Sequence, residues 1–384
     1  MKIQRLTFYA TLMALLYLLF ASSCKSERRE GDIVTIDVSK SYPEKEIDLN
    51  AIADIKYVIM EDTDDFLYKG RPQYITENSI LIEDLSTEDF LFFTREGVPK
   101  SRFNSKGGGP TEFSYYSSLL YDENRDELFI VDRDRVFVYS SEGEFIRRFP
   151  LVEGAYITEI RDFDEESLLI YDTSESYDTD FLLISKEDGS VMDLISLPRI
   201  EKLQLYIMET NGENMNITSG KTNNLVAHKD GFLLTNYSSD SVYLYNKNKE
   251  VKPFLVRSPE IQKMEPIVYL NSLVETSQYQ FMLVTTVKKQ NNRLPSVSIV
   301  REKSNNKIYK QKIVFSEFEG RELDITPACI YNMKNSKIGF FELDIDELYT
   351  ANKENKLSGD LKKITEHVDS INNNNNVYML IYFK

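Results

Sequence analysis

The 384-residue chain is too acidic for a nucleic-acid binder, since 62 Asp and Glu exceed 46 Lys and Arg and leave a net charge of −16. The same charge argues against electrostatic docking on anionic lipid. Its 24 Tyr and 22 Phe favour strands over helices.

The N-terminus predicts a secretory signal peptide. Lys2 and Arg5 precede an uncharged, mostly apolar stretch at 6–20, and small residues follow at 21–23. A membrane-spanning helix is the alternative, but it needs roughly 20 apolar residues. We expect residues 1–23 to be removed, which takes two positive charges away and leaves a mature charge near −18.

Cys24 directly follows two serines and resembles the lipid-bearing cysteine of bacterial lipoproteins. A plain signal-peptidase site is the alternative. Two or more acyl chains on Cys24 would anchor the chain stably in a membrane. Residues 24–31 would then form a polar tether, whose mixed charges do not say whether the protein faces the periplasm or the cell exterior. The remaining cysteine, Cys329, is expected to be a small buried hydrophobe.

A five-residue pattern recurs along the rest of the chain, with three or four strand-formers followed in most copies by a polar or acidic residue. The six copies are "ILIED" from Ile80, "LFIVD" from Leu128, "LLIYD" from Leu168, "FLLTN" from Phe232, "FMLVT" from Phe281 and "IGFFE" from Ile338. Successive copies stand roughly 40 to 60 residues apart, which suits one four-stranded sheet per copy.

Several copies continue into a second strand, a turn and a third strand. Gly97, Gly143 and Gly189 stand at these turns, where a positive φ is needed, and the fourth copy has Asn and Lys there instead. Repeats of this length without helical periodicity predict an all-β, six-bladed β-propeller over residues 32–384. A β-sandwich is the competing fold, but its strands would not form six similar groups.

The two ends of the chain predict how the ring closes. The last strand, "VYMLIYF" at 377–383, needs a partner, and either "IVTIDV" at 33–38 or "IKYVIM" at 55–60 can provide it. Before that strand, four apolar residues suit one face of a helix: Leu357, Leu361, Ile364 and Val368.

The sequence "KGGGPTEF" at 106–113 lies between the first two repeats. It is neither a dinucleotide fingerprint, because Pro110 and strands surround it, nor a P-loop, because no Lys-Ser/Thr pair follows the last glycine. We expect the glycines to permit a tight turn between blades, Pro110 to stiffen its exit and Glu112 to accept hydrogen bonds from loop amides. A ligand-contacting loop is the alternative.

This segment also carries a family resemblance. A G-x-G-P-x-E-aromatic element before a strand resembles the blade signature of six-bladed β-propeller lipoproteins of the Bacteroides group. The matching positions are Gly107, Gly109, Pro110, Glu112 and Phe113. The N-terminal region 52–65 and the C-terminal strand are similar to that family as well. The resemblance implies the fold and lipid attachment, and it implies no particular activity.

Catalytic motifs are absent from the sequence, so no catalytic residue is predicted. No H-E-x-x-H, G-x-S-x-G or C-x-x-C occurs. His228 and His367 stand far apart in the sequence and in unlike contexts, and His228 is expected at the surface or capping a turn.

Calcium is the one metal that the carboxylates suggest. Asp122, Asn124 and Asp126 have the 1, 3, 5 spacing of a calcium loop. In that alignment Glu127 occupies the position of the loop's glycine, and Arg133 occupies the position of its bidentate glutamate. A hairpin turn explains the residues equally well, and no cofactor is expected.

These observations favour a lipid-anchored binding or scaffolding module for a protein, peptide or glycan, facing the periplasm or the cell exterior from the outer membrane. The alternative is a calcium-dependent lactonase or phosphoesterase with its metal at the propeller centre. A third reading is an envelope sensor partnered with a membrane protein. Fold alone does not choose among them.

Overall fold

The computed structural model describes residues 33–174, 176–198, 203, 206–211, 214–220, 222–332, 337–371 and 377–384. The expected signal peptide, Cys24 and the tether up to residue 31 lie outside these residues. Thr35–Lys384 form one compact unit. Within the described ranges, no helix is both long enough and apolar enough to cross a membrane.

Six sheets surround a central axis, which confirms the predicted six-bladed propeller. Three strands precede the first blade: β1 (Val34–Asp37), β2 (Glu44–Asp48) and β3 (Ala53–Ile59). The first blade contains β4 (Pro72–Ile75), β5 (Ser79–Glu83), β6 (Phe90–Thr94) and β7 (Pro99–Phe103). The second blade contains β8 (Ser118–Asp122), β9 (Glu127–Asp132), β10 (Arg135–Tyr139) and β11 (Phe145–Pro150). The third blade contains β12 (Ile157–Asp162), β13 (Ser167–Asp172), β14 (Phe181–Ser185) and β15 (Val191–Ile195).

The second half of the ring is less regular. A separate hairpin comes first, formed by β16 (Tyr206–Asn211) and β17 (Asn214–Ser219). The fourth blade contains β18 (Leu225–His228), β19 (Gly231–Thr235), β20 (Ser241–Asn246) and β21 (Val251–Ser258). The fifth blade contains β22 (Val268–Glu275), β23 (Tyr279–Thr286), β24 (Ser296–Glu302), β25 (Ile308–Val314) and the short β26 (Glu322–Leu323). The sixth blade contains β27 (Ile330–Asn332), β28 (Lys337–Leu343) and β29 (Val377–Phe383).

The recurring five-residue pattern lies on the second strand of every blade, namely β5, β9, β13, β19, β23 and β28. These strands lie between two hydrogen-bonded neighbours and pack on both faces, so almost every position is buried. Burial on both faces explains why they read as continuous apolar runs rather than alternating ones. The longest spacing, between the third and fourth copies, contains the β16–β17 hairpin.

The ring closes between the two ends of the chain. β3 is the outermost strand of the sixth blade and pairs antiparallel with β29, with Ile59 opposite Val377 and Ala53 opposite Phe383. Of the two segments predicted for this role, "IKYVIM" therefore provides the partner. The other segment forms β1, which adds a fifth strand to the fourth blade, and β2 pairs parallel with β25 of the fifth blade. The N-terminal segment thus follows the outside of three consecutive blades.

Helices occur mainly in the connection between β28 and β29. Here α1 is the short helix Leu49–Ile52, and this connection contains α2 (Ile345–Lys353) and α3 (Gly359–Ile371). Leu361 and Val368 of α3 are fully buried against the core of the last two blades, and Ile364 packs against it partly buried. Leu357 is buried as well but precedes α3, so the predicted helical face is confirmed for three of its four residues.

The turn glycines have the predicted backbone. Gly97, Gly143 and Gly189 have φ values of 91°, 82° and 72°. In the fourth blade the positive φ falls on Lys249, at 64°. Glycine adopts this region without steric cost, which explains its use in three of the four turns.

The first strand of each blade lies nearest the axis. β4 contacts β8, β8 contacts β12, β12 contacts β18, and β18 contacts β22. The turns that follow these strands therefore meet around one end of the axis. We call this end the mouth, and its described turns are 76–78, 123–126, 163–166, 229–230 and 276–278. The "KGGGPTEF" loop and helices α2 and α3 lie in connections at the opposite end.

Candidate functional site

The mouth contains two adjoining cavities of about 420 and 910 Å³, which share Asp122 and Asn124. Polar groups and aromatic rings line both. Tyr74 and Glu77 face the smaller cavity, and Phe163 faces the larger one. The first-strand ends of several blades thus meet at a concave surface, which is where binding sites commonly lie.

A buried lysine holds two blades together beneath the mouth. Lys186 follows β14, and its Nζ lies 2.5 Å from Asp122 Oδ2 and 2.9 Å from Asp162 Oδ1. The three side chains are 0%, 2% and 6% exposed, respectively. Because two nearly buried carboxylates share one ammonium, removing the lysine would take away the cation that compensates both of them.

A second charged group supports this lysine. Arg147 binds Glu127 through both terminal nitrogens, at 2.6 and 2.7 Å, and its Nη2 also donates to the Lys186 carbonyl at 2.9 Å. Arg125 donates from Nε to Glu127 at 3.0 Å. The bidentate pair fixes the turn after β14, so the position of Lys186 is determined from both its backbone and its side chain.

Another mouth carboxylate joins the first two blades. Glu123 accepts hydrogen bonds from Thr76 Oγ1 at 2.7 Å, Asn78 Nδ2 at 2.9 Å and Ser79 Oγ at 2.9 Å. Glu123 therefore serves the packing of neighbouring blades. Glu77, Glu165 and Glu166 are exposed and are better placed to meet a ligand.

A histidine–glutamate pair joins the fourth and fifth blades. His228 Nε2 lies 3.0 Å from Glu275 Oε2, and His228 Nδ1 accepts a hydrogen bond from the Asp230 amide at 3.2 Å. The amide contact places the ring proton on Nε2, which donates to Glu275. Lys303 also contacts Glu275. His228 was predicted as a surface or capping residue, and it caps a turn, although its side chain is only 4% exposed.

These partners determine the ionisation of Glu275. Burial alone would raise its pKa, but hydrogen bonds from His228 and Lys303 outweigh burial and lower the pKa to about 2. A carboxylate with a lowered pKa contributes stability above its ordinary pKa of 4.5, and this contribution is lost as pH falls from 4.5 through 2. The difference corresponds to about 3 kcal/mol.

We therefore expect Glu275→Gln to lower the stability at pH 7 by up to about 3 kcal/mol and to weaken the acid sensitivity of the chain. Urea unfolding of both forms at several pH values between 7 and 3 measures this. The gap between them should narrow below pH 4.5. Glu250→Gln, at an exposed carboxylate paired with Lys252, is the control and should have little effect. A constant gap at all pH values would contradict the assignment.

The three residues with calcium-loop spacing form a hairpin turn between β8 and β9. Asp122 accepts from the Asn124 amide at 3.1 Å and binds Lys186, while Asp126 has a φ of 50° and accepts from Tyr121 Oη at 2.9 Å. The two carboxylates thus bind different groups of the protein. Across the described part of the chain, no group of three or more His, Cys, Asp or Glu is arranged to hold a metal ion.

The "KGGGPTEF" loop is tied to itself and to the core. Glu112 Oε2 accepts from the Gly109 amide at 2.8 Å, and the Gly107 amide donates to the Phe113 carbonyl at 2.8 Å. A Cβ at Gly107 would lie 2.0 Å from Glu112 Oε2, so a larger residue there would displace the Glu112 carboxylate from its present position. Phe113 is buried among other aromatic rings, and Arg148 Nη1 donates to the Pro110 carbonyl at 2.7 Å. These contacts hold the loop against its own backbone and against the second blade.

Acidic residues at the ends of second strands have one shared role. Asp84 accepts from the Lys69 amide at 3.0 Å, Asp132 from the Ser114 amide at 2.8 Å, and Asp172 from the Tyr156 amide at 2.9 Å. Each amide belongs to the connection that leads into the same blade. The repeated acid therefore holds that connection in place.

Comparisons with known proteins agree with the architecture. A solved Bacteroides fragilis protein, described as exported, matches with a TM-score of 0.56 over 92% of this chain and 100% of that chain, at 14% identity. A DUF4221-family structure from Bacteroides vulgatus matches with a TM-score of 0.40 over 70% of this chain and 91% of that chain, at 12% identity. No curated protein matches significantly. The DUF5128 model, described as a 6-bladed beta-propeller, matches residues 23–291, which is more than half of the chain. The chain therefore belongs to the DUF5128 family of six-bladed β-propellers.

Proposed function

We propose that this chain is an extracytoplasmic binding module that takes a segment of a protein, peptide or glycan at the mouth. The strongest support is that some carboxylates of the mouth bind groups of the protein while others are exposed to a ligand. Asp122 and Glu123 bind groups of the protein, whereas Glu77 and Glu165 are exposed beside open cavities. Such a surface offers acceptors to a ligand, and no group of three or more His, Cys, Asp or Glu among the described residues is arranged to hold a metal ion.

The lining defines the chemistry of the ligand. Exposed carboxylates accept hydrogen bonds from hydroxyl or ammonium groups, and the half-buried ring of Phe163 offers an apolar face in the larger cavity. Sugars and basic peptide segments both present such donors beside apolar carbon surface. The exposed Lys229 and Lys247 at the rim add donors for ligand carbonyl groups.

The anchor at Cys24 belongs to the same proposal. A signal peptide followed by a cysteine after small residues supports export and acylation. The exported description of the Bacteroides fragilis protein is consistent with this location. Anchored in the outer membrane through residues 24–31, the propeller would meet ligands of the periplasm or of the cell exterior.

Binding to glycan and peptide arrays tests the proposal, with a fluorescently labelled soluble form that starts at Lys25. We expect a discrete set of ligands to bind. The variant Glu77→Lys with Glu165→Lys should bind them at least about tenfold more weakly, since two acceptors at the mouth are replaced by cations.

The control variant changes the same charge at the other end of the axis, with Glu260→Lys and Glu354→Lys, and should bind normally. Equal binding by the mouth variant and the control would reject the mouth as the site. The assays are run in EDTA and again in millimolar calcium. Calcium-dependent turnover of lactones or phosphoesters would favour the hydrolase alternative.

A further inference from the structure

The smaller cavity of the mouth carries only one sign of charge in its lining. Among the described residues that line it, the charged ones are Glu77, Asp122, Glu123 and Asp162, and none is a lysine or an arginine. Lys186 binds two of these carboxylates, Asp122 and Asp162, so one ammonium serves both of them. The lining as a whole therefore remains negatively charged.

The other two carboxylates have no cationic partner. Glu123 accepts hydrogen bonds only from the neutral hydroxyl and amide groups of Thr76, Asn78 and Ser79. Glu77 is exposed and forms no ion pair with any residue that the structure describes. A concave surface lined by one sign of charge concentrates ligands of the opposite sign.

The larger cavity differs in its charge. Its lining combines acidic residues such as Glu165 and Glu166 with the cations Arg125, Lys229 and Lys247. Opposite charges in one lining offset each other, so this cavity has no comparable preference for a cation. The preference belongs to the smaller cavity, between the first three blades.

Tyr74 provides a free polar group in the smaller cavity. Its ring packs against the apolar cores of the first three blades, and its hydroxyl forms no hydrogen bond with a described residue. Arg161 lies near this ring, but its guanidinium binds Glu159 at 3.1 Å and does not line the cavity. Burial raises the pKa of Tyr74, so the hydroxyl stays neutral and can accept a hydrogen bond.

We propose that the smaller cavity binds the side chain of a lysine in a peptide ligand, with the Tyr74 hydroxyl and the Glu77 carboxylate accepting from its ammonium. This inference rests on the proposed function, because it gives a chemical class to the ligand of the mouth. An ammonium group has three donors and no acceptor, which suits a lining rich in carboxylate oxygens.

The shape of the cavity favours a lysine side chain over an amino sugar. A volume of about 420 Å³ lies within the range of small-molecule sites. The rings of Tyr74 and Tyr121 form part of its wall. The methylene groups of a lysine can pack along such rings while the ammonium group lies beside the acceptors. An amino sugar carries its amine directly on the ring and has no such apolar stem.

Isothermal titration of the soluble form from Lys25 with Nα-acetyl-lysine methylamide tests this inference. We expect binding in the millimolar range, and binding at least about tenfold weaker for the same compound with its side-chain amine acetylated. Tyr74→Phe and Glu77→Gln should each weaken binding of the lysine compound at least about threefold. Tyr115→Phe, at an exposed tyrosine of the opposite end, is the control and should bind it normally.

Several outcomes would overturn the lysine site. They are equal binding of the charged and the acetylated compound, no binding of the lysine compound at tens of millimolar, or tighter binding of glucosamine. Array ligands that bind Tyr74→Phe as tightly as the unaltered chain would also overturn it, while leaving the mouth as the binding site. Equal array binding by the double mouth variant and its control would instead reject the proposed function itself.

Discussion

Replacing Lys186 with methionine is expected to lower the free energy of unfolding by about 3–5 kcal/mol. Methionine has a similar length, so the change removes the charge with little change in volume. Asp122 and Asp162 would then lose the buried ammonium that both of them bind. Urea unfolding at pH 7 of the soluble form measures the loss.

Two further variants make this result specific. Lys363→Met removes an exposed lysine paired with Asp360 and should leave the stability almost unchanged. Adding Asp122→Asn and Asp162→Asn to Lys186→Met removes the repelling charges and should restore part of the loss. A loss below about 1 kcal/mol for Lys186→Met would show that the carboxylates find other partners.

Removing the closing strand should prevent cooperative folding. A chain that starts at Glu61 lacks β1 to β3, so the sixth blade loses its outermost strand and β29 becomes an unpaired edge. Burial of Val58 and Met60 contributes about 1.5–3 kcal/mol each. Together with the lost pairing along the whole of β3, this loss is a large share of a typical stability of about 5–15 kcal/mol.

A chain that starts at Ser39 is the matched control. It loses only β1, and the fourth blade keeps its own four strands. We expect this chain to unfold cooperatively at a lower Tm, and the chain from Glu61 to show no cooperative transition by circular dichroism. Similar melting curves for the two chains would mean that β3 does not stabilise the ring.

The sequence predicted the ring because each blade repeats the same local signals. Apolar second strands and turn glycines depend on local burial and backbone geometry, so they recur visibly at Gly97, Gly143 and Gly189. The β16–β17 hairpin was missed because it shares no pattern with the blades. Strand β2 was also missed, since a short polar strand at a blade's outer edge has no distinctive composition. Strand β1 lies in a segment predicted as a strand, but it pairs with β21 of the fourth blade and not with the last strand.

The candidate site was predicted less well, because its contacts join residues far apart in the chain. Asp122 and Lys186 are separated by 64 residues, and His228 and Glu275 by 47. Nothing in "VAHKDG" or "LISKED" alone indicates burial of the histidine or the lysine. A blade-by-blade alignment of the repeats was the one signal available, since it places Asp122, Asp162, His228 and Glu275 at the ends of first strands.

The pairing of Ile59 with Val377 joins nearly the start of the domain to nearly its end. Synthesis from the N-terminus produces β3 before any blade and β29 after the first five blades, so β3 has no native partner until the sixth blade is made. Contacts between distant residues form slowly because a long loop must close first. The five preceding blades can therefore assemble on the emerging chain, while ring closure waits for the final strand.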